Sequence, residues 1–273
     1  HREEFPMPEV QLQKYLEEIK AMQEIGNGNT KGHKKCILQL IRALKNVSDH
    51  PYISNFNNEH DIDIFINQSA KLRKTIEILK NIKNKEEKVV IFSDSKNTCR
   101  MLHQVVCKRF ALGQVYIVNG DMPGTKQRED TMRVSRQTAI NKFEAKEGFN
   151  VIIMSPLAAG IGLNITKANH VIHYSRWWNP AKEEQATDRV YRIGQKLPVH
   201  IYFPIAIATD FKSFDVILHE LLERKMAVMS DTLFPTEQAE VTPAEIFDDI
   251  FNDIPNTDNT RRQHLTMNDI TSI

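Results

Sequence analysis

Arginine stays protonated in essentially any protein setting, and its rigid fork of donors suits a polyphosphate whose charge grows as a bond breaks. Arg189 and Arg192 stand three residues apart in the stretch Gln185 to Gln195, QATDRVYRIGQ. Inside a helix that spacing puts both on one face, where they could address a single target together. It also suits a solvated or ion-paired arginine face, so the pair alone leaves both readings open. Asn179-Pro180 reads as an N-cap followed by proline at the first helical position, with Glu183 and Glu184 in the first turns. Upstream, the apolar run Val151 to Met154 ends in the small-residue turn Ser155 to Asn164, SPLAAGIGLN. A strand that ends in such a turn lets backbone amides approach a phosphate closely.

The elements that must position these residues follow from pattern. Val89 to Phe92, Val115 to Val118, Val151 to Met154, His170 to Tyr174 and Val199 to Ile205 read as strands of a parallel sheet, with Val89 to Phe92 fit for its centre. Ser69 can cap a helix over 70–82 whose buried stripe is Leu72, Ile76 and Leu79. Lys96 to Phe110 reads as a crossover helix, and Thr209-Asp210 opens a long one over 211–229. Ser93 closes the central strand, where ligands gather in such sheets, and it is either a phosphate contact or the cap of the next helix. Two helices precede the sheet: one over 8–25, carrying Val10, Leu12, Tyr15, Leu16, Ile19 and Met22, and one over 31–47 that ends at Asp49-His50-Pro51. His50 is expected to serve as a structural hydrogen bonder there. Asn55 to Gln68 is expected to be a surface loop.

With 273 residues and a formal net charge of +1, the chain is long enough for one α/β domain with flanking helices, and it does not announce a nucleic-acid binder by charge alone. Charge is unevenly distributed: bases outnumber acids between Thr30 and Phe110, whereas Asp231 to Thr260 has acids and no lysine or arginine. Cys36, Cys99 and Cys107 lack metal-ligand spacing and read as reduced thiols, so no metal site is expected. No apolar run is long enough to span a membrane, and the charged start is no signal peptide; the reading is of an intracellular protein, cytoplasmic in a bacterium or nuclear in a eukaryote.

The series S-x-x-A-x-G-x-G-L-N, then W-N-P, then Q-A-x-D-R-x-x-R-I-G-Q resembles helicase motifs V and VI of the Swi/Snf-type DNA translocases, superfamily-two helicase-related ATPases. The resemblance implies a RecA-like lobe, a parallel sheet with helices on both faces, here with N-terminal helices, a C-terminal helix and an acidic tail. Residues 1–68 would be the lead-in from an N-terminal lobe, 69–230 the lobe itself, and 231–273 the tail. In that tail Phe234, Ile246, Phe247, Ile250 and Phe251 suggest a docking helix open to other proteins, and 256–273 reads as mobile.

By the same resemblance Arg189 and Arg192 would be catalytic, while Gly160, Gly162, Asn164, Gln185 and Gln195 would line the ATP side. Ser93, Ser155 and Trp178 would meet double-stranded DNA, joined by Arg136 of an R-x-x-x-I-x-x-F series with Ile140 and Phe143. Arg128 or Arg133 could replace Arg136, because the preceding interval is long. Three further departures stand out. Asp49 replaces the asparagine of the family's N-H-P, Ala159 stands where glycine is usual, and the acidic residues that commonly precede W-N-P are absent. Alanine at 159 is a small change at negative φ and a costly one at positive φ.

The chain has no G-x-x-x-x-G-K-[ST] and no D-E-x-H, so ATP and Mg²⁺ would be held mainly by a missing N-terminal lobe, and the isolated chain should not hydrolyse ATP. The alternatives are a degenerate lobe that only binds DNA or protein, and a strand-separating helicase.

Overall fold

A computed structural model describes residues 1–25, 30–53, 61–120, 135–159, 164–231 and 240–253. The six strands β1 (Arg2–Pro6), β2 (Lys88–Phe92), β3 (Tyr116–Val118), β4 (Asn150–Met154), β5 (His170–His173) and β6 (His200–Ile207) run parallel in the order β1-β6-β5-β2-β4-β3. Phe92 lies opposite both Met154 and His173, which brings the carboxyl ends of the three middle strands level.

Those strands have apolar middles, Val89 to Phe92, Val151 to Met154 and Val171-Ile172, because both their faces are covered, and the pleat sends alternate residues to opposite sides. Val89, Ile91, Val151, Ile153, Ile172 and Tyr174 enter one core, under α3 (Ile62–Asn67), α4 (Ala70–Asn84) and α5 (Lys96–Phe110). Val90, Phe92, Ile152, Met154 and Val171 enter the other, under α6 (Arg136–Ala145), α7 (Pro156–Ala159) and α8 (Pro180–Thr187). A third cluster joins the outer end of the sheet to α1 (Glu9–Ile25), α2 (Thr30–Asp49), α9 (Phe214–Asp231) and α10 (Pro243–Asp253). The architecture is the α/β arrangement with helices on both faces that the motifs imply.

One strand was not foreseen, and two local expectations are corrected. The charged start forms β1, paired with β6 from Arg2 opposite Phe203 to Pro6 opposite Ile207. As an edge strand it is only alternately covered, so it carries no apolar signal. Part of the expected loop 55–68 is α3, capped by Asp61, whose carboxylate accepts from the amides of Asp63 (2.9 Å) and Ile64 (3.2 Å). Its buried Phe65 stacks on His50, with ring centroids 3.8 Å apart. The last long helix starts at Phe214, where Ser213 Oγ accepts from Val216 N at 3.3 Å.

His50 takes the structural role expected of it. Its Nδ1 accepts from Tyr52 N at 3.0 Å, which leaves Nε2 to donate to Phe65 O at 3.0 Å. In the tail, α10 docks through Ile246, Phe247 and Ile250. Phe234 and 256–273 lie outside the described residues.

Candidate functional site

Helix α8 begins where Asn179 and Pro180 place it, with Asn179 Oδ1 accepting from Lys182 N at 3.2 Å. It ends at Thr187, so neither arginine is helical, contrary to the expectation of one shared helix face. The reason is long-range. The carbonyl of Arg189, which a continuing helix would bond four residues onward, instead accepts from Ile165 N at 2.9 Å. Val190 is drawn into the second core, and Gly194 turns the chain back at φ +107°, a conformation that L side chains rarely adopt. Gln195 then closes the turn, its Nε2 donating to Ala168 O at 2.6 Å and its Oε1 accepting from Leu197 N at 2.9 Å.

Arg192 is exposed and its Nη1 donates to Asn164 Oδ1, while Arg189 is half-buried. Three links therefore bind 164–168 to 189–195, and they bring Asn164, Arg189, Arg192 and Gln195 together. Gln185 is exposed on α8. Gly160 and Gly162 lie outside the described residues. Ala159 is the last residue of α7, where helical backbone accommodates alanine.

The residues expected at DNA sit along the carboxyl edge of the sheet in different settings. Ser155 is half-buried after β4, with its Oγ accepting from Ala158 N at 3.3 Å. Trp178 is half-buried against the third cluster, and its carbonyl accepts from Val241 N at 2.7 Å. Arg136 is 9% exposed and donates to Gly120 O at 3.1 Å, so it packs at the end of β3 and does not reach freely into solvent. Arg128 and Arg133 lie outside the described residues. Ser93 is wholly buried, with its Oγ 3.1 Å from Ser175 Oγ. It does not cap α5 either; Ser95 does, accepting from Thr98 N at 3.3 Å.

Two buried polar networks underlie this edge, and sequence reading found neither. Under α8, Arg176 donates to Glu183 from Nε (3.1 Å) and Nη2 (2.6 Å) and lies 2.6 Å from His219 Nδ1, its guanidinium 4.2 Å from the centre of the Phe203 ring. Glu183 also accepts from Trp177 N at 3.0 Å, and His173 Nε2 lies 2.9 Å from Thr187 Oγ1. Burial first, aided by the Arg176 charge, pushes both His173 and His219 down to about 4. A folded state that keeps these rings neutral binds fewer protons than the unfolded chain between pH 6.5 and 4, so stability should fall with acidification there, by about 1.4 kcal/mol per pH unit for each ring. His219→Gln should flatten the fall of Tm between pH 6.5 and 5; an unchanged slope would remove His219 from this account.

The second network centres on Asp49, at the end of α2. Its carboxylate accepts from Lys71 Nζ (2.8 Å), Thr98 Oγ1 (2.9 Å) and Ser175 Oγ (2.9 Å), and its carbonyl from Tyr174 OH (2.6 Å) and Ser69 Oγ (2.9 Å). Lys71 also reaches Asp215 Oδ1 at 3.1 Å. A signal existed in the sequence: Lys71, Thr75, Ile78 and Ile82 form a second buried stripe on α4, and a lysine within such a stripe demands an acidic partner.

Residues 70–194 match the family described as the helicase conserved C-terminal domain. The solved SWI2/SNF2 ATPase core of Sulfolobus solfataricus in complex with double-stranded DNA is 26% identical, and the match covers 92% of this chain and 49% of that one with a TM-score of 0.68. The chain is a Swi/Snf-type C-terminal helicase lobe. Among curated relatives, the Zorya protein ZorD of Escherichia coli O139:H28 is 37% identical over 238 residues, 83% of this chain. The YwqA protein of Bacillus subtilis, whose name places it among ATP-dependent helicases and translocases, is 38% identical over 185 residues, 68% of this chain. This Swi/Snf lobe spans only about a fifth of either relative's length, 20% and 19%.

Proposed function

We propose that this lobe supplies Arg189 and Arg192 to ATP held by an N-terminal lobe of the same motor, while the carboxyl edge of its sheet grips double-stranded DNA. The observation that carries the reading is Arg192. Its guanidinium is exposed, steadied by the Asn164 amide, on a turn tied to 165–168 by the bond from Ile165 N to Arg189 O and by the Gln195 amide on Ala168 O. Such a fork is set before the nucleotide arrives and gains most as the γ-phosphate becomes metaphosphate-like. The donors fit phosphate. A guanidinium cannot ligate Mg²⁺, so acids on the companion lobe would carry it with the phosphate loop.

Ser155, Trp178 and Arg136 are the groups proposed to face the DNA backbone. The buried Ser93 is assigned to positioning that edge. Closure of the two lobes on ATP, and opening after hydrolysis, would move this grip along the duplex without parting its strands. Support comes from the relative solved with double-stranded DNA and from the names of the helicase and translocase relatives.

The test is turnover. The 273-residue chain alone should hydrolyse no ATP, and the same chain joined to an N-terminal lobe should show DNA-stimulated hydrolysis. Turnover by the pure chain contradicts the half-motor reading. Absence of turnover in a complete two-lobed protein favours a lobe that only binds.

A further inference from the structure

The basic stretch between Thr30 and Phe110 takes no part in the site described above, yet the fold gathers some of it in one place. Arg42 and Lys45 lie in the last two turns of α2, and Lys96 and Arg100 in the first two turns of α5. Lys45 Nζ donates to Asp94, which stands between the end of β2 and the Ser95 cap of α5. Thr98 Oγ1 of α5 donates to Asp49 at the end of α2, at 2.9 Å. The two helix ends therefore meet beside the carboxyl end of β2. Arg42 neighbours Lys45 on the surface of α2, three residues back, and Arg100 lies one turn beyond Lys96 on α5. Arg42, Lys96 and Arg100 are exposed, and Lys45 is half-buried.

We propose that these four cations form a shoulder of the carboxyl edge that takes the phosphate backbone of double-stranded DNA, next to the residues already assigned to the duplex. The inference rests on the reading of that edge as a DNA grip and extends it to α2 and α5.

Charge is the argument. Asp49 is the only acid in either helix, and it is buried and bonded to Lys71. Asp94 is the only other acid within residues 42–49 and 93–100, so the four cations are in excess. Elsewhere the fold matches its cations: Lys74 pairs with Glu3 and Glu77, Lys212 with Glu220, Arg224 with Asp249 and Lys225 with Glu245. Arg42 and Arg100 have no ion-pair or hydrogen-bond partner among the described residues. Exposed cations left unmatched on neighbouring elements suit a polyanion, and DNA gains from them by releasing its condensed counterions. Such contacts address phosphate and carry no sequence information, so the shoulder adds affinity without preference for bases.

The test is the salt dependence of duplex binding by the full 273-residue chain, read by fluorescence anisotropy on a labelled duplex of mixed sequence. Each phosphate contact adds about 0.9 to the slope of log affinity against log salt, so Arg42→Gln with Arg100→Gln should flatten it by about 1.8. The affinity deficit of that pair should then be about tenfold larger at about 50 mM than at about 200 mM salt. Its Tm should match the parent, because both side chains are exposed. Arg42→Lys with Arg100→Lys should keep the parental slope, since lysine retains the charge without the fork. Lys85→Gln with Lys142→Gln removes the same charge at the amino edge and on α6, over the other core, and should leave the slope unchanged. If Ser155→Ala and Trp178→Ala weaken binding while the glutamine pair at 42 and 100 keeps the parental slope, the DNA reading of the edge survives and this inference falls. It falls also if the pair at 85 and 142 flattens the slope as much, or if lysine fails to restore it. A chain that binds no duplex overturns both the inference and the reading beneath it.

Discussion

Arg192→Ala in a two-lobed protein should lower DNA-stimulated ATP hydrolysis by about 10³-fold or more, the range that arginine fingers contribute to phosphoryl transfer. The loss should fall on kcat more than on KM for ATP, because a group aimed at the transferring phosphoryl acts most strongly when charge has spread over its oxygens. DNA affinity and its salt dependence should change little, since the exposed guanidinium bonds Asn164, which is not among the residues assigned to the duplex. Arg192→Lys should recover only part of the rate: it restores the charge without the fork. Hydrolysis retained in Arg192→Ala, or a loss accompanied by an equal loss of DNA binding, would remove the finger assignment. Arg189 is half-buried, so its replacement should cost packing as well as rate.

What could be read beforehand was what local pattern determines. The strands around Val89 and Val151 declare themselves because two covered faces require unbroken apolar runs, and Ser69 declares α4 because a free first turn needs an acceptor. The nearness of Arg189 and Arg192 to Asn164 was implied by the family resemblance. Their support was not, because α8 stops for a bond to Ile165 that no helical periodicity encodes. The setting of Ser93 was not legible for a related reason: beyond a strand's last paired residue, pleat parity no longer says which way a side chain faces, and here it meets the Ser175 hydroxyl. The node around Asp49 escaped because its members come from α2, α4, α5, the end of β5 and α9: Lys71 in its apolar stripe calls for an acid, but no local window says which acid answers it.

Lys71→Met offers the largest expected loss of stability. Removing the ammonium leaves Asp49 and Asp215 buried without their shared cation, and breaking a buried pair from one side costs about 3–5 kcal/mol, or roughly 10 °C in Tm for a domain of this size. The pH dependence identifies the cause. Burial already raises the Asp215 carboxyl above its ordinary range, with Lys71 pulling it down and Asp49 pushing it further up. Without Lys71 the folded-state pKa should rise again, so the folded state takes up a proton that the unfolded chain at the same pH does not. A carboxyl whose folded pKa is raised loses stability as pH climbs through that window and regains it on acidification. The Tm deficit of Lys71→Met relative to the parent should therefore be smaller at pH 5 than at pH 7.5, even though the buried histidines weaken both proteins at the lower pH. Asp215→Asn added to Lys71→Met should recover part of the loss, because it removes one of the two stranded charges. A deficit that is flat with pH and unrelieved by Asp215→Asn would mean that Lys71 acts through packing of its aliphatic stem, and the charge account of the node would fail.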